Sequence, residues 1–359
     1  MNPVQAFAPG KLLLIGEYAV LDGASALVMA VDRRVHVAIS SAGKRAGRLD
    51  APQLGIRRAR MAIDRGVLCC PGLPGANLGL TARMAPAILR ELGLDPEEIA
   101  NLDLEIDSGE LFESGEGGPV KLGLGSSAAV SAALVVALET WYGLRTAASG
   151  PGRLLDRWLP VYRRALGATA SGADLAAAFF GGLNAFCSTG EATRCRALEW
   201  PGGLYWRAVW VGQAAQTTDY VAAYERWKLA EPKAAKDIAR RLGQVSQRAA
   251  DSLGDAPALV EACAEYADHL GALGDAMGLQ VMSEPHRRLA ELGKNCGVVY
   301  KSCGAGGGDL GIALSTDPGR LRAFDKRVAD CDGVPLNLGL STVGALPGTP
   351  RPAGAAENQ

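Results

Sequence analysis

The chain has 359 residues, 48% of them hydrophobic and 21% charged, with a formal net charge of −1. That length favours two domains over a single core, and the balance is that of a globular protein, not a disordered one. With a charge so near zero, no broad basic face advertises nucleic acid or anionic membrane, so an anionic ligand is expected to be held by a few local cations and backbone amides.

The start lacks a basic segment followed by an apolar core and a small-residue cleavage site, so no signal peptide is expected. Its apolar runs fall short of the roughly 20 residues of a membrane span. Eight cysteines include the adjacent Cys69 and Cys70 but no C-x-x-C pair, and His36, His269 and His286 lie far apart. Metal-ligand spacing is absent and a disulfide framework is not expected. The expectation is a reduced, soluble, cytoplasmic protein.

In chain order, residues 7–18 read as a short loop, a buried strand opening just after Lys11, and a turn carrying Glu17 and Tyr18. Residues 26–31 and 35–39 suggest two further strands, with Arg33 and Arg34 between them. Residues 41–80, rich in Gly, Arg and Pro, read as an irregular connection. A helix is predicted over 81–92, with Gly93 near its C-cap and Pro96 just beyond. Residues 102–106 alternate apolar and acidic side chains, as a half-exposed strand does. Residues 113–119 form a glycine-rich approach to the next segment.

That segment is Lys121-Leu-Gly-Leu-Gly-Ser-Ser-Ala-Ala-Val130, a tight glycine loop, two hydroxyls and an apolar run to Leu138. Glycines let backbone N–H groups approach an anion closely, and a helix N-terminus adds partial positive charge. The hydroxyls of Ser126 and Ser127 suit phosphate oxygens or the shell of Mg²⁺. Nothing here fits the Walker A spacing. A glycine turn ahead of a buried helix remains the plain structural alternative.

A Pro/Gly break at 149–152 precedes a helix containing Leu154, Trp158 and Val161. In 167–182 small residues again lead into a helix, with Asp174 in its first turn, a place the helix dipole alone favours. Residues 187–203 turn polar and mark the domain boundary. A strand at 204–211 and a polar turn at 214–219 lead into several helices. In one, Leu259, Cys263, Tyr266, Leu270, Leu273 and Met277 recur at core-facing spacing. A helix at 283–294 and a strand at 298–300 run into Lys301-Ser-Cys-Gly-Ala-Gly-Gly-Gly-Asp309, then a strand at 310–314. So many glycines between strands demand unusual backbone angles or a very close approach.

Together, Lys11 after Ala-Pro-Gly, the Gly-Leu-Gly-Ser-Ser loop and the Gly-Ala-Gly-Gly-Gly loop resemble the GHMP family of small-molecule kinases, over residues 6–314. The first motif with Tyr18, Lys121 directly before the second, and Asp309 closing the third are similar to the branch acting on 5-phosphomevalonate. The branch acting on mevalonate typically carries histidine for Tyr18, glycine for Asp309, and a metal-binding glutamate eleven residues before the catalytic aspartate. Here that last position holds Arg163.

The resemblance implies an α+β, two-lobed GHMP kinase fold with ATP and substrate in the cleft between the lobes. Residues 1–195 would form the N-terminal nucleotide-binding lobe and 196–345 a ferredoxin-like C-terminal lobe, with 346–359 a disordered tail. It implies ATP- and Mg²⁺-dependent phosphorylation of 5-phosphomevalonate to the 5-diphosphate. Mevalonate is the alternative acceptor, and a catalytically silent metabolite-binding member a third reading. Lys11 would neutralise the reacting oxygens and hold Asp174, the candidate base. Lys121, Gly123, Leu124, Gly125, Ser126, Ser127 and Ala128 would hold the ATP phosphates, with Ser127 touching Mg²⁺. Glu17, Tyr18, Ser171, Lys301, Ser302, Gly304, Ala305, Gly306 and Asp309 would contact the acceptor, Lys301 meeting its phosphate, and Cys303 would line the cleft. Partners are small molecules, neither nucleic acid nor membrane, and the protein is a monomer or homodimer.

Overall fold

The computed structural model describes residues 2–115, 118–146, 149–167, 170–189, 192–212, 217–252 and 254–348. The chain opens with strands β1 (Val4–Ile15) and β2 (Ala26–Ser41), then the short β3 (Arg48–Ala51), β4 (Ile56–Arg60), β5 (Ala62–Asp64) and β6 (Val67–Cys69). Helix α1 (Thr81–Glu91), β7 (Leu102–Asp107) and the hairpin of β8 (Phe112–Gly115) and β9 (Gly118–Lys121) follow. Three helices come next, α2 (Ser126–Trp141), α3 (Pro151–Leu166) and α4 (Ala173–Phe180), then β10 (Leu183–Ser188) and β11 (Thr193–Leu198).

β2 is the spine of this lobe. β1 pairs along one edge from Val4↔Ile39 to Ile15↔Leu27, while β10 and β7 share the other edge. Residues 26–31 of β2 are buried without a break because α2 and α4 pack on it and so does α6 (Pro232–Asp251) of the second lobe. Beyond Arg34 the strand alternates, Val35, Val37 and Ile39 buried between more exposed neighbours. β2 is therefore one strand, not the expected two. The ladder runs past Arg33 and Arg34 by a register shift at Pro9/Gly10 of β1. Lys11 likewise sits within β1, not ahead of it. Residues 41–80 are irregular only in part: β3 and β4 extend the sheet, β5 and β6 form a separate hairpin, and 70–80 are turn and loop. These strands are too short to show a period in the sequence, and β3 and β4 are also rich in arginine.

The second lobe runs β12 (Tyr205–Trp210), α5 (Thr217–Ala230), α6, α7 (Ala256–Met277), α8 (Glu284–Cys296), β13 (Val299–Ser302), β14 (Leu310–Ser315), α9 (Pro318–Asp325) and β15 (Val334–Leu336). The antiparallel order β13-β14-β12-β15 is the 4-1-3-2 order of a ferredoxin-like βαββαβ unit, with four helices filling the first crossover. Part of the polar turn expected at 214–219 lies outside the described residues, and α5 is already helical from Thr217.

The chain then returns to the first lobe. Asp32 N–H donates to Gly339, Ser341 N–H to Ala30, and Ala345 N–H to Ala178. β16 (Leu346–Gly348) adds to the free edge of β1. The first three residues of the expected tail are therefore a strand, and those from 349 on lie outside the described residues. Among the described residues no helix is long and apolar enough to cross a membrane.

Candidate active site

Helix α2 is buried almost all round, so its hydrophobic sides are spent on β1, β2, α1 and α4. Its N-terminus is left open. Gly125, the residue before it, is left-handed with φ 75°, and no side-chain oxygen caps the helix. Uncapped first-turn N–H groups at such an end suit an anion. Ser127 is exposed and Ser126 half-buried here, and with Lys121, Thr81, Leu54 and Phe112 they line a pocket at the helix start. Leu124 and Ala128 are buried and do not line this pocket.

The three glycine-bearing segments converge at this point. Lys11 N–H donates to the Leu124 carbonyl at 2.8 Å, and its side chain crosses Gly125 so closely that a Cβ there would lie 2.8 Å from Lys11 Cγ. On the other side a Cβ on Gly123, itself at φ 79°, would lie 2.5 Å from Asp309 Cβ. Two glycines of the second motif thus accommodate the lysine of the first and the aspartate of the third.

Asp174 lies in the first turn of α4. Its Oδ2 accepts from the Tyr162 hydroxyl at 2.7 Å and its Oδ1 from the Leu175 N–H at 2.8 Å. Lys11 does not hold it, since among the described residues no ion pair within 4.0 Å involves Lys11. Ser171 Oγ accepts from Ala173 N–H at 3.3 Å, capping the turn into α4. Arg163 Nε donates to the Ala170 carbonyl at 3.0 Å, and its terminal nitrogen to the Ser171 carbonyl at 2.5 Å and Ser188 Oγ at 3.0 Å. Arg163 thus ties the backbone ahead of α4 down with its guanidinium.

Glu17 and Lys301 form a fully buried ion pair, Nζ to Oε1 at 2.5 Å, and Nζ also donates to the Ser302 carbonyl at 2.7 Å. Lys301 is 0% exposed, so it is not a cation facing an acceptor phosphate, and the Glu17 carboxylate is not open to substrate. Burial alone would lower the Lys301 pKa, but the Glu17 charge, the hydrogen bond to Glu17 and the neighbouring Cys303 and Cys263 together more than offset it, and the net shift is upward. Ser302 is 0% exposed and Cys303 buried as well, with burial pushing the Cys303 thiol up to about 12. Neither lines an open cleft.

Tyr18, in the left-handed region at φ 61°, sends its hydroxyl to the Ala305 carbonyl at 2.5 Å, tying the first motif to the third. A Cβ on Gly306 would meet the Val281 carbonyl oxygen at 2.4 Å, whereas Gly304 has open space around it. His286 Nε2 lies 3.1 Å from the Gly308 carbonyl and Nδ1 2.8 Å from the Tyr300 hydroxyl. One neutral tautomer satisfies both, Nε2–H donating and Nδ1 accepting. Burial, with help from Lys301, lowers this imidazole to about 4 against the opposing bond to Gly308.

Tyr162, His286 and the anchoring role of Arg163 were missed in the sequence. Tyr162 continues the Leu154 and Trp158 stripe at a spacing of four, so a hydroxyl ending an apolar stripe was the available signal.

An antiparallel ferredoxin-like lobe set against a lobe with an uncapped, glycine-led helix N-terminus and a lysine laid across it defines a phosphate-handling small-molecule enzyme. Residues 79–182 match the model for the N-terminal domain of GHMP kinases. The chain is 30% identical to the phosphomevalonate kinase of Streptomyces sp. (strain CL190) over 342 residues, covering 86% of this chain and 88% of that protein. A mevalonate kinase from Methanothermobacter thermautotrophicus is 33% identical over 178 residues, or 50% of this chain and 48% of that one. Among solved structures, the Lin0012 protein of Listeria innocua superposes with a TM-score of 0.80 at 22% identity, covering 97% of this chain and 99% of that one. Streptococcus pneumoniae phosphomevalonate kinase in complex with phosphomevalonate and AMPPNP does so with 0.73 at 21%, covering 95% and 100%. The chain belongs to the GHMP kinase family and is a phosphotransferase.

Proposed function

We propose that this kinase transfers the γ-phosphoryl group of ATP to the phosphate of 5-phosphomevalonate, giving ADP and the 5-diphosphate. The observation that carries the reading is the convergence of Lys11, Gly125, Gly123 and Asp309 at the open start of α2. It occurs in a chain similar along most of its length to the Streptomyces phosphomevalonate kinase. The anchored Arg163 supports the same acceptor, because it puts no metal-binding acid beside Asp174.

The first turn of α2 and the hydroxyls of Ser126 and Ser127 would receive the nucleotide phosphates. Lys11, passing over Gly125, would bring positive charge to the transferred group, where catalysis is mostly positioning and charge stabilisation. The acceptor phosphate is already an anion near neutral pH, so little proton abstraction is asked of Asp174. With Lys301 buried, exposed Lys121 beside the α2 pocket remains as a cation for the phosphates. Gly304, Ser171 and the Tyr18–Ala305 contact would shape the acceptor end.

Mg²⁺ bound with ATP would neutralise phosphate charge. Among the described residues no group of three or more His, Cys, Asp or Glu could hold a metal ion. The hydroxyl of Ser127 and the nucleotide's own oxygens are the donors that fit it. ³¹P NMR of a reaction with ATP and 5-phosphomevalonate tests the reading. A new pair of coupled diphosphate resonances beside those of ADP is the expected product signature, and an unchanged monophosphate resonance refutes it.

A further inference from the structure

We propose that Tyr162 is a positioning residue for phosphoryl transfer, its buried hydroxyl locking the carboxylate of Asp174 at the start of α4. The inference rests on the reading above, in which Asp174 belongs to the transfer site, and adds to it the residue that sets its geometry. Tyr162 is 1% exposed, and its ring fills the core on the α3 face shared with Trp158. A phenol that deep needs a partner for its O–H, and the partner here is Asp174 Oδ2 at 2.7 Å.

No other side chain is hydrogen-bonded to Asp174 among the described residues, and the second bond comes from its neighbour's backbone, Leu175 N–H to Oδ1. One donor from α3 and one from α4 therefore fix both side-chain torsions of the aspartate. Burial and the neighbouring carboxylate push the Tyr162 phenol well above its ordinary value, so it stays a donor throughout the working range. The next residue, Arg163, holds the carbonyls of Ala170 and Ser171 from the same helix. α3 thus clamps the 170–174 turn twice, by its backbone and by its acid. Because Lys11 forms no ion pair within 4.0 Å among the described residues, the clamp replaces a lysine in orienting the aspartate. Phosphoryl transfer depends on such orientation, and a misplaced group costs rate without weakening binding to the same degree.

The test is a kinetic and thermal cycle of wild type, Tyr162→Phe, Asp174→Asn and the double variant. Tyr162→Phe keeps the ring and removes only the O–H. Steady-state rates use the acceptor that the wild type turns over. The expected result is a kcat roughly 10-fold lower in Tyr162→Phe with both KM values changed about two-fold at most. Adding Tyr162→Phe to Asp174→Asn should lower kcat no further. An unchanged kcat in Tyr162→Phe, or an undiminished loss on top of Asp174→Asn, overturns the proposal.

Melting curves of the same four proteins need no turnover. Losses in Tm that are less than additive support the contact, and additive losses overturn it. If the wild type turns over neither 5-phosphomevalonate nor mevalonate, the acceptor reading falls, while the melting cycle still decides whether Tyr162 and Asp174 act as a unit.

Discussion

Replacing Lys301 with methionine probes the joint between the first and third motifs. Methionine keeps much of the volume and deletes the ammonium. Glu17, at 2% exposure, would then hold a buried carboxylate with no counter-charge. Its Oε2 already has no hydrogen-bond partner among the described residues, and its Oε1 would lose Lys301. Leaving such a charge unpaired costs about 3–5 kcal/mol. An unfolding entropy of about 2.1 cal/mol/K per residue gives roughly 0.75 kcal/mol/K for the chain, so Tm should fall by roughly 4–7 °C. The double variant Glu17→Met/Lys301→Met, which removes the charge along with its partner, should recover most of that loss. Scanning calorimetry reads both. A Lys301→Met protein melting within a degree of wild type, or a double variant no more stable than the single, would refute the reasoning. The pH dependence has a definite sign. With its pKa raised on folding, Lys301 contributes stability that is complete below the unfolded value near 10.4 and is lost only as pH rises through the folded one. The gap between wild type and Lys301→Met should therefore hold steady from pH 7 to 9.

His286 has the opposite sign. Its pKa is about 4 when folded and 6.5 in its ordinary state, so the unfolded chain takes the proton first and stability is lost as pH falls from 6.5 towards 4. By pH 4.5 that loss is roughly 2.7 kcal/mol, or roughly 3–4 °C, and His286→Gln should lack this part of the acid slope in a pH series of melts. Gly125→Ala would place a Cβ 2.8 Å from Lys11 Cγ at a φ that side chains rarely adopt. It should lower kcat/KM by roughly 100-fold, through displacement of Lys11, while far-UV circular dichroism stays unchanged. Wild-type kcat/KM in that variant would mean that the lysine does not depend on its seat over Gly125.

The parts of the fold legible in the sequence were those with a strong local pattern. The apolar run from Ala128 to Leu138 made α2 plain, and the four-and-three stripe from Leu259 to Leu273 made α7 plain. The glycine motifs marked the second and third segments because their backbone angles tolerate little else. What did not show was pairing at a distance. Glu17 and Lys301 are separated by 284 positions, and nothing in a lysine entering a loop distinguishes a buried counter-ion from a phosphate ligand. Tyr162 looked like one more core residue because its ring is one, and only the fold reveals where its hydroxyl ends. The strands β3 and β4 were hidden by their brevity and by the arginines on their exposed positions, and β5 and β6 by being three residues each.

The central claim is most directly tested by ADP release from the purified kinase with ATP and Mg²⁺, comparing 5-phosphomevalonate with mevalonate at matched concentrations. Turnover with the phosphorylated acid and none above background with mevalonate is the expected result. Turnover with mevalonate alone would contradict it, and would mean that this site transfers to an alcohol without an acid at position 163.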